Sequence, residues 1–295
     1  MTPARRAARA ILLGAGFFVA PDGMAEAPAA IPRPFHVIAH RGASSFAPEN
    51  TLPAFARALE IGVVEVELDV QLSRDLVPVL FHDRTLDAKT PLRGRVRDHL
   101  AAELQRADIG LWFDGTHPDR KPRWAGTTLT TLPELFAAFG SKLHYHVEIK
   151  DEHEQTPARV LAAISAAGLE SRVTLTSFYR AQLERARRRA PDLPSCWLLE
   201  HALPELLDAA AGAGIAMVGV RTSELSAELV LQAHARGLEI RAFRVETDAD
   251  MERALRSGCN GMTLDAPERL IARLLEALRA PGRARPRHAI DRPEG

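Results

Sequence analysis

The chain has 295 residues, and its 38 lysines and arginines offset 38 aspartates and glutamates. That balance leaves no basic tract for nucleic acid and no broadly cationic face for a membrane. The two cysteines, Cys196 and Cys259, make no disulfide framework and sit in no metal-binding spacing, so both read as small apolar fillers.

The first thirty residues differ in composition from the rest. Arg5, Arg6 and Arg9 precede an apolar run over 11–20, and small residues including Ala25-Glu26-Ala27 follow. Basic, then apolar, then small is the order of a secretory signal. The run is shorter than the about twenty apolar residues of a membrane span. The arm over 1–30 therefore predicts a periplasmic or secreted protein; an overlong start or disordered arm on a cytoplasmic protein is the alternative. A folded domain is expected over 31–279, and the Arg- and Pro-rich tail over 280–295 reads as disordered.

Within the domain, residues 36–40 form a first strand. A helix over 52–61 follows, capped at Asn50-Thr51, with Pro53 in its first turn and Gly62 at its end. In Val63-Val64-Glu65-Val66-Glu67-Leu68-Asp69-Val70, acid and aliphatic residues alternate with the period of a strand, which puts Glu65, Glu67 and Asp69 on one face. Carboxylates so aligned repel one another unless a cation sits among them, and oxygen donors suit Ca²⁺ or Mg²⁺. The link through Ser73-Arg74-Asp75-Leu76 is too short for a helical crossover, so 77–81 returns as an antiparallel hairpin. A turn centred between Arg74 and Asp75 places His82 opposite Glu67. His40, ending the first strand, faces the same spot. Two imidazoles beside a metal suit acid–base chemistry on a phosphate ester, one taking a proton from the nucleophile and one giving a proton to the leaving oxygen.

Residues 86–126 read as an irregular, loop-rich insertion carrying Arg93, Arg95, Arg97, Lys121 and Arg123. From Leu132 onward helices and strands alternate: 132–139 before 143–149, 157–167 before 173–176, 181–190 before 196–199, 204–211 before 215–220, 227–235 before 239–243, and 249–256 before 262–264. Asp265-Ala266-Pro267 opens a last helix. About eight parallel strands, each followed by a helix, predict an α/β fold of the closed (β/α)8 TIM-barrel type. An open doubly wound sheet lacks support, since no Gly-rich phosphate fingerprint follows the first strand. In such a barrel chemistry sits where strands end, which is where His40, Arg41, Glu67, Asp69, Glu148 and Lys150 fall.

His40-Arg41-Gly42, Pro48-Glu49-Asn50-Thr51, Glu67-x-Asp69, Pro78-Val79 with His82-Asp83, and His146-Val147-Glu148-Ile149-Lys150 follow in order. With Thr176-Ser177-Phe178 and the 261–267 segment, this series resembles the glycerophosphodiester phosphodiesterase family from about residue 36 to 270. The resemblance implies that His40 and His82 are the acid–base pair. It implies that Glu67, Asp69 and Glu148 hold one divalent cation, that Arg41 and Lys150 contact phosphate, and that the loop-rich insertion lies over the barrel mouth. The implied reaction is hydrolysis of a small-molecule glycerophosphodiester to glycerol 3-phosphate and an alcohol. A phospholipase D-like or phosphoinositide-directed enzyme on the same barrel, or a non-catalytic binding module, are the rival readings. Glu49 and Asn50 brace the first loop, Glu65 belongs to deeper structure, and His36, His144, His146 and His153 match no family role. Three departures stand out. Phe243-Arg244-Val245-Glu246 replaces the usual Trp-Thr-Val-Asn and makes Phe243 a substrate-contacting wall of altered size. Asn260-Gly261-Met262-Thr263-Leu264-Asp265 replaces Asp-Gly-Ile-Ile-Thr-Asp. Leu76 stands where the turn glycine is usual.

Overall fold

Eight parallel strands close on themselves. In the computed structural model, which describes residues 34–119 and 123–279, β1 (His36–Ala39) pairs on one side with β2 (Glu65–Leu72) and on the other with β9 (Gly261–Leu264). After β3 (Pro78–Leu80), the ring continues through β4 (His144–Ile149), β5 (Val173–Ser177), β6 (Ser195–Leu198), β7 (Met217–Arg221) and β8 (Glu239–Phe243). The expected arm over 1–30 and the tail over 280–295 lie outside the described residues. So does Lys121 of the insertion.

The helices outside the ring are α1 (Leu52–Ile61) and, after two short helices α2 (Ala101–Leu104) and α3 (Gly110–Thr116), seven more: α4 (Leu132–Phe139), α5 (Thr156–Ala167), α6 (Arg180–Arg187), α7 (Pro204–Gly212), α8 (Ala227–His234), α9 (Asp248–Ser257) and α10 (Pro267–Arg279). Their starts follow local chemistry. The hydroxyls of Thr131, Ser226 and Thr247 accept from the backbone N–H three residues on, and Glu134 and Asp250 complete reciprocal capping boxes. One apolar layer fills the space between strands and helices, to which β2 contributes Val66, Leu68 and Val70. Strand alternation then turns Glu65, Glu67 and Asp69 into the barrel. The interior is consequently polar, with buried His146, Thr174, Arg241 and Thr263 beneath the acids.

The hairpin forms with a register one residue away from the expected one. Val70 faces Leu80 and Leu72 faces Pro78, so the turn is centred on Asp75. Leu76 takes a left-handed φ of 62°, and Ser73 N–H donates to Val77 O at 3.0 Å. A three-residue loop ending in a left-handed residue adds one position to the tight turn assumed from sequence. β3 ends at Leu80, so His82 is no strand partner of Glu67; it enters the site from the loop that follows.

The insertion is more ordered than its composition suggests. Besides α2 and α3 it has its own core, in which Leu86, Val96, Leu104, Ala107 and Ile109 pack on Val79 and Phe81. Asp114 accepts backbone N–H groups from Arg123, Trp124 and Ala125, and Asp108 accepts from Leu111 and Gly126. Side-chain carboxylates thus satisfy backbone donors that no strand or helix uses.

Candidate active site

The parallel register of β2 and β4 sets Asp69 beside Glu148. Glu67, Asp69 and Glu148 are all buried, and each offers an oxygen within 4.8 Å of those of the other two. Two cations offset part of this charge. Arg41 Nε lies 3.1 Å from Asp69 Oδ2, and Lys150 Nζ lies 2.9 Å from Glu148 Oε1 and 3.6 Å from Asp69 Oδ1. Asp69 is accordingly held well below the usual carboxylate range: burial would raise it, but Arg41 and then Lys150 outweigh that. Glu67 has less help. Burial, then Asp69 and Glu148, push it well above the ordinary value, and burial also raises Glu148. Glu67 Oε1 and Asp69 Oδ1 are buried without a hydrogen-bond donor among the described residues. Three converging carboxylates, two of them with donor-free oxygens, fit a hard divalent cation.

The loop after β1 builds the other half of the site. Arg41 and Gly42 are both left-handed, at φ 54° and 80°, and the reversal lets Arg41 N–H donate to Glu67 Oε2 at 3.1 Å. A Cβ on Gly42 would stand 2.7 Å from the Ala54 carbonyl carbon of α1, so the third residue of His-Arg-Gly has no room for a side chain. Asn50 clamps one of the candidate ligands directly. Its Nδ2 donates to Asp69 Oδ2 at 2.9 Å while its Oδ1 accepts Asp69 N–H at 3.1 Å. Asn50 braces its loop, as expected, and does so against the acid triad.

Each candidate imidazole is held at Nδ1 by a carboxylate. His40 Nδ1 lies 2.6 Å from Asp265 Oδ1, with Nε2 3.8 Å from Glu67 Oε2. His82 Nδ1 lies 2.7 Å from Asp83 Oδ1, and this bond brings the Asp83 carboxyl down to about 2. Pinning Nδ1 orients the ring and leaves Nε2 for proton exchange. Both rings sit near enough to Asp69 to help hold it ionised. Phe243 lies at the mouth, edge-on to Phe178 at 5.7 Å, with the Arg221 guanidinium 5.8 Å from its ring.

Sequence reasoning did not single out Asp83, Asp265 or Lys89. Lys89 Nζ joins Asp83 Oδ1 at 3.1 Å to Glu49 Oε1 at 2.8 Å, and Glu49 Oε2 accepts from Arg41 at 3.0 Å. The Trp112 ring lies 4.7 Å from this ammonium. Asp83 adjoins His82, and Asp265 directly follows the last strand at the catalytic rim, so both carried a signal. Lys89 carried none, since only the folded insertion brings it there.

Glu65 is no part of the triad. It lies a layer below, 2.9 Å from His36 Nδ1 and 3.0 Å from His146 Nε2. Burial alone would lower His36, yet Glu239 and Glu65 raise it to about 9, whereas burial drives His146 down to about 3. His144 is bonded to Thr174, and His153 lies in the loop after β4. These groups hold the barrel floor and the rim, away from the acids.

Acids that could hold a cation, side-chain cations that suit an oxyanion and imidazoles free at one nitrogen meet at the C-terminal rim of a single barrel. The class so defined is that of the barrel phosphoesterases. A family model described as the glycerophosphoryl diester phosphodiesterase family matches residues 40–269. A glycerophosphodiester phosphodiesterase of Caldanaerobacter subterraneus is 34% identical over 239 residues, covering 80% of this chain and 96% of that protein. One of Bacillus subtilis is 30% identical over 249 residues, covering 78% and 83%. The structure of an Oleispira antarctica phosphodiesterase in complex with the product sn-glycerol-3-phosphate superposes with a TM-score of 0.74 at 25% identity, covering 81% of this chain and 96% of that one. The chain belongs to the glycerophosphoryl diester phosphodiesterase family and is a phosphoric diester hydrolase.

Proposed function

We propose that the protein hydrolyses small glycerophosphodiesters to glycerol 3-phosphate and an alcohol, with His40 and His82 as the acid–base pair and Glu67, Asp69 and Glu148 holding one Ca²⁺ or Mg²⁺. The observation that carries this reading is the convergence of three buried carboxylates, two with donor-free oxygens, beside two imidazoles each pinned at Nδ1. When bound, the cation neutralises charge building on the phosphate oxygens.

The side chains supply the rest. Arg41 and Lys150, already anchored on Asp69 and Glu148, direct their remaining donors at the phosphate, Arg41 as a fork and Lys150 as a point charge. One imidazole accepts the proton of the attacking hydroxyl, either water or the glycerol hydroxyl next to the ester. The other returns a proton to the departing alcohol. Each transfer is worth typically ~10²–10⁴ in rate. Phe243 and Phe178 form an apolar wall beside the bound diester. Among the described residues no helix is long and apolar enough to cross a membrane; residues 1–30 would direct the enzyme to the periplasm or medium.

Release of glycerol 3-phosphate from glycerophosphocholine tests this reading. Turnover should require Ca²⁺ or Mg²⁺, stop in excess EDTA and return when the cation is restored. His40→Ala and His82→Ala should fold and lose turnover. Full activity in EDTA would remove the metal assignment, and wild-type activity in either histidine variant would remove the pair.

A further inference from the structure

A cavity of about 660 Å³ borders Lys150, walled by the β2–β3 turn, the loop after β3, the insertion and the loop after β4. Four arginines line it: Arg74, Arg84, Arg95 and Arg97. Several arginines elsewhere on the surface do pair with an acid, as Arg57 with Glu60, Arg221 with Glu200, Arg236 with Asp208 and Arg269 with Asp248. None of the four has a carboxylate oxygen within 4.0 Å among the described residues. The cavity's own acids offset them weakly. Asp151 is taken up by the N–H groups of Leu72 and His153 and by the Thr156 hydroxyl, and Glu152 is exposed. Cations gathered around one cavity repel one another, and an oxyanion bridging them removes that cost, most effectively through paired N–H donors of the guanidinium fork.

We infer that this groove receives a second anionic group on the substrate, so that the preferred diester is one whose alcohol itself bears a phosphate. The inference rests on the proposed hydrolysis at the triad: Lys150 stands at the junction, so a diester phosphate held there points its substituent along the arginines. The field of the groove also speeds capture of an anionic ligand, an effect that salt screens. A cationic alcohol such as choline meets the opposite field.

The test compares three diesters on the full-length enzyme with saturating Mg²⁺ or Ca²⁺: those of choline, of inositol and of inositol 4-phosphate. The last two differ only by the added phosphate, and the ratio of their kcat/KM values is the readout. The expected ratio is at least about tenfold in favour of the phosphorylated alcohol and resides in KM, as charge-assisted bonds to an oxyanion would give. Raising the salt from roughly 0.05 to 0.5 M should shrink it. The double variant Arg84→Gln/Arg97→Gln should bring it towards one. A ratio at or below one, or one untouched by both salt and the double variant, overturns the inference. Inorganic phosphate is the remaining arm. Inhibition of the inositol diester by added phosphate that the double variant relieves would make the groove a free-anion site and overturn the substrate assignment. Turnover of all three diesters without preference sinks only the groove. No turnover of any sinks the proposed function.

Discussion

Replacing Glu67 by glutamine separates the cost of the acid triad from its use. Glu67 faces two carboxylates whose oxygens lie within 4.8 Å. At an effective dielectric of about 20, each such pair repels by roughly 3–4 kcal/mol. Arg41 and Lys150 return part of this, and proton uptake by Glu67, whose carboxyl is pushed up by burial and by Asp69 and Glu148, caps the remainder. We expect Glu67→Gln to stabilise the metal-free protein by about 2 kcal/mol, since the amide keeps the size and adds a donor. At about 2–4 °C per kcal/mol for a domain of this size, thermal unfolding in EDTA should shift upward by about 4–8 °C. The pH dependence has a definite sign. A group whose folded value is raised contributes stability below its unfolded value, about 4.3, and loses it as pH rises through the folded value. Wild-type protein in EDTA should therefore weaken as pH climbs above that point, and the variant should show a flatter profile. Added Ca²⁺ or Mg²⁺ should raise the wild-type midpoint and leave the variant unmoved. A variant that melts at or below wild type in EDTA, or that keeps the full cation-dependent rise, would refute the reasoning.

The other expectations concern residues around the triad. Lys89→Met leaves Asp83 and Glu49 facing each other without the ammonium between them, so His82 and Arg41 lose their common anchor; kcat should fall by about tenfold or more, and Lys89→Arg should restore most of it. Glu65→Gln should keep turnover but lower stability by about 3 kcal/mol, as a partly buried pair loses one partner. Wild-type stability should also decline as pH rises from the unfolded histidine value near 6.5 through about 9, because the raised His36 loses its charge there, and Glu65→Gln should flatten this limb of the melting curve. Gly42→Ala should cost about 2 kcal/mol or more, from a left-handed backbone and from the Ala54 contact, and a melting temperature equal to wild type would show that α1 can retreat.

Where the sequence was legible, the reason is periodicity. The acid–aliphatic alternation of β2 has one solution in a sheet buried on both faces, so it puts Glu67 and Asp69 together on one face. The run from Leu132 to Leu264 has a distinct pattern for each strand and helix, and the observed elements fall where those patterns lie. Leu76 shows the opposite case. A left-handed leucine is disfavoured locally, so the sequence favours a tight turn centred half a position earlier, which sets His82 opposite Glu67.

Residue order by itself determined which side chains share a strand face, and therefore that acids on β2 and β4 would gather at one rim. The third dimension decided what those acids lean on. The hydrogen bonds from Asn50 to Asp69, from His40 to Asp265 across 225 positions of chain, and from Lys89 to Glu49 join segments with no common period. A repeat along the chain encodes contacts made by neighbours on one element, whereas a bond between loops depends on the closure of the whole barrel, which brings β9 beside β1.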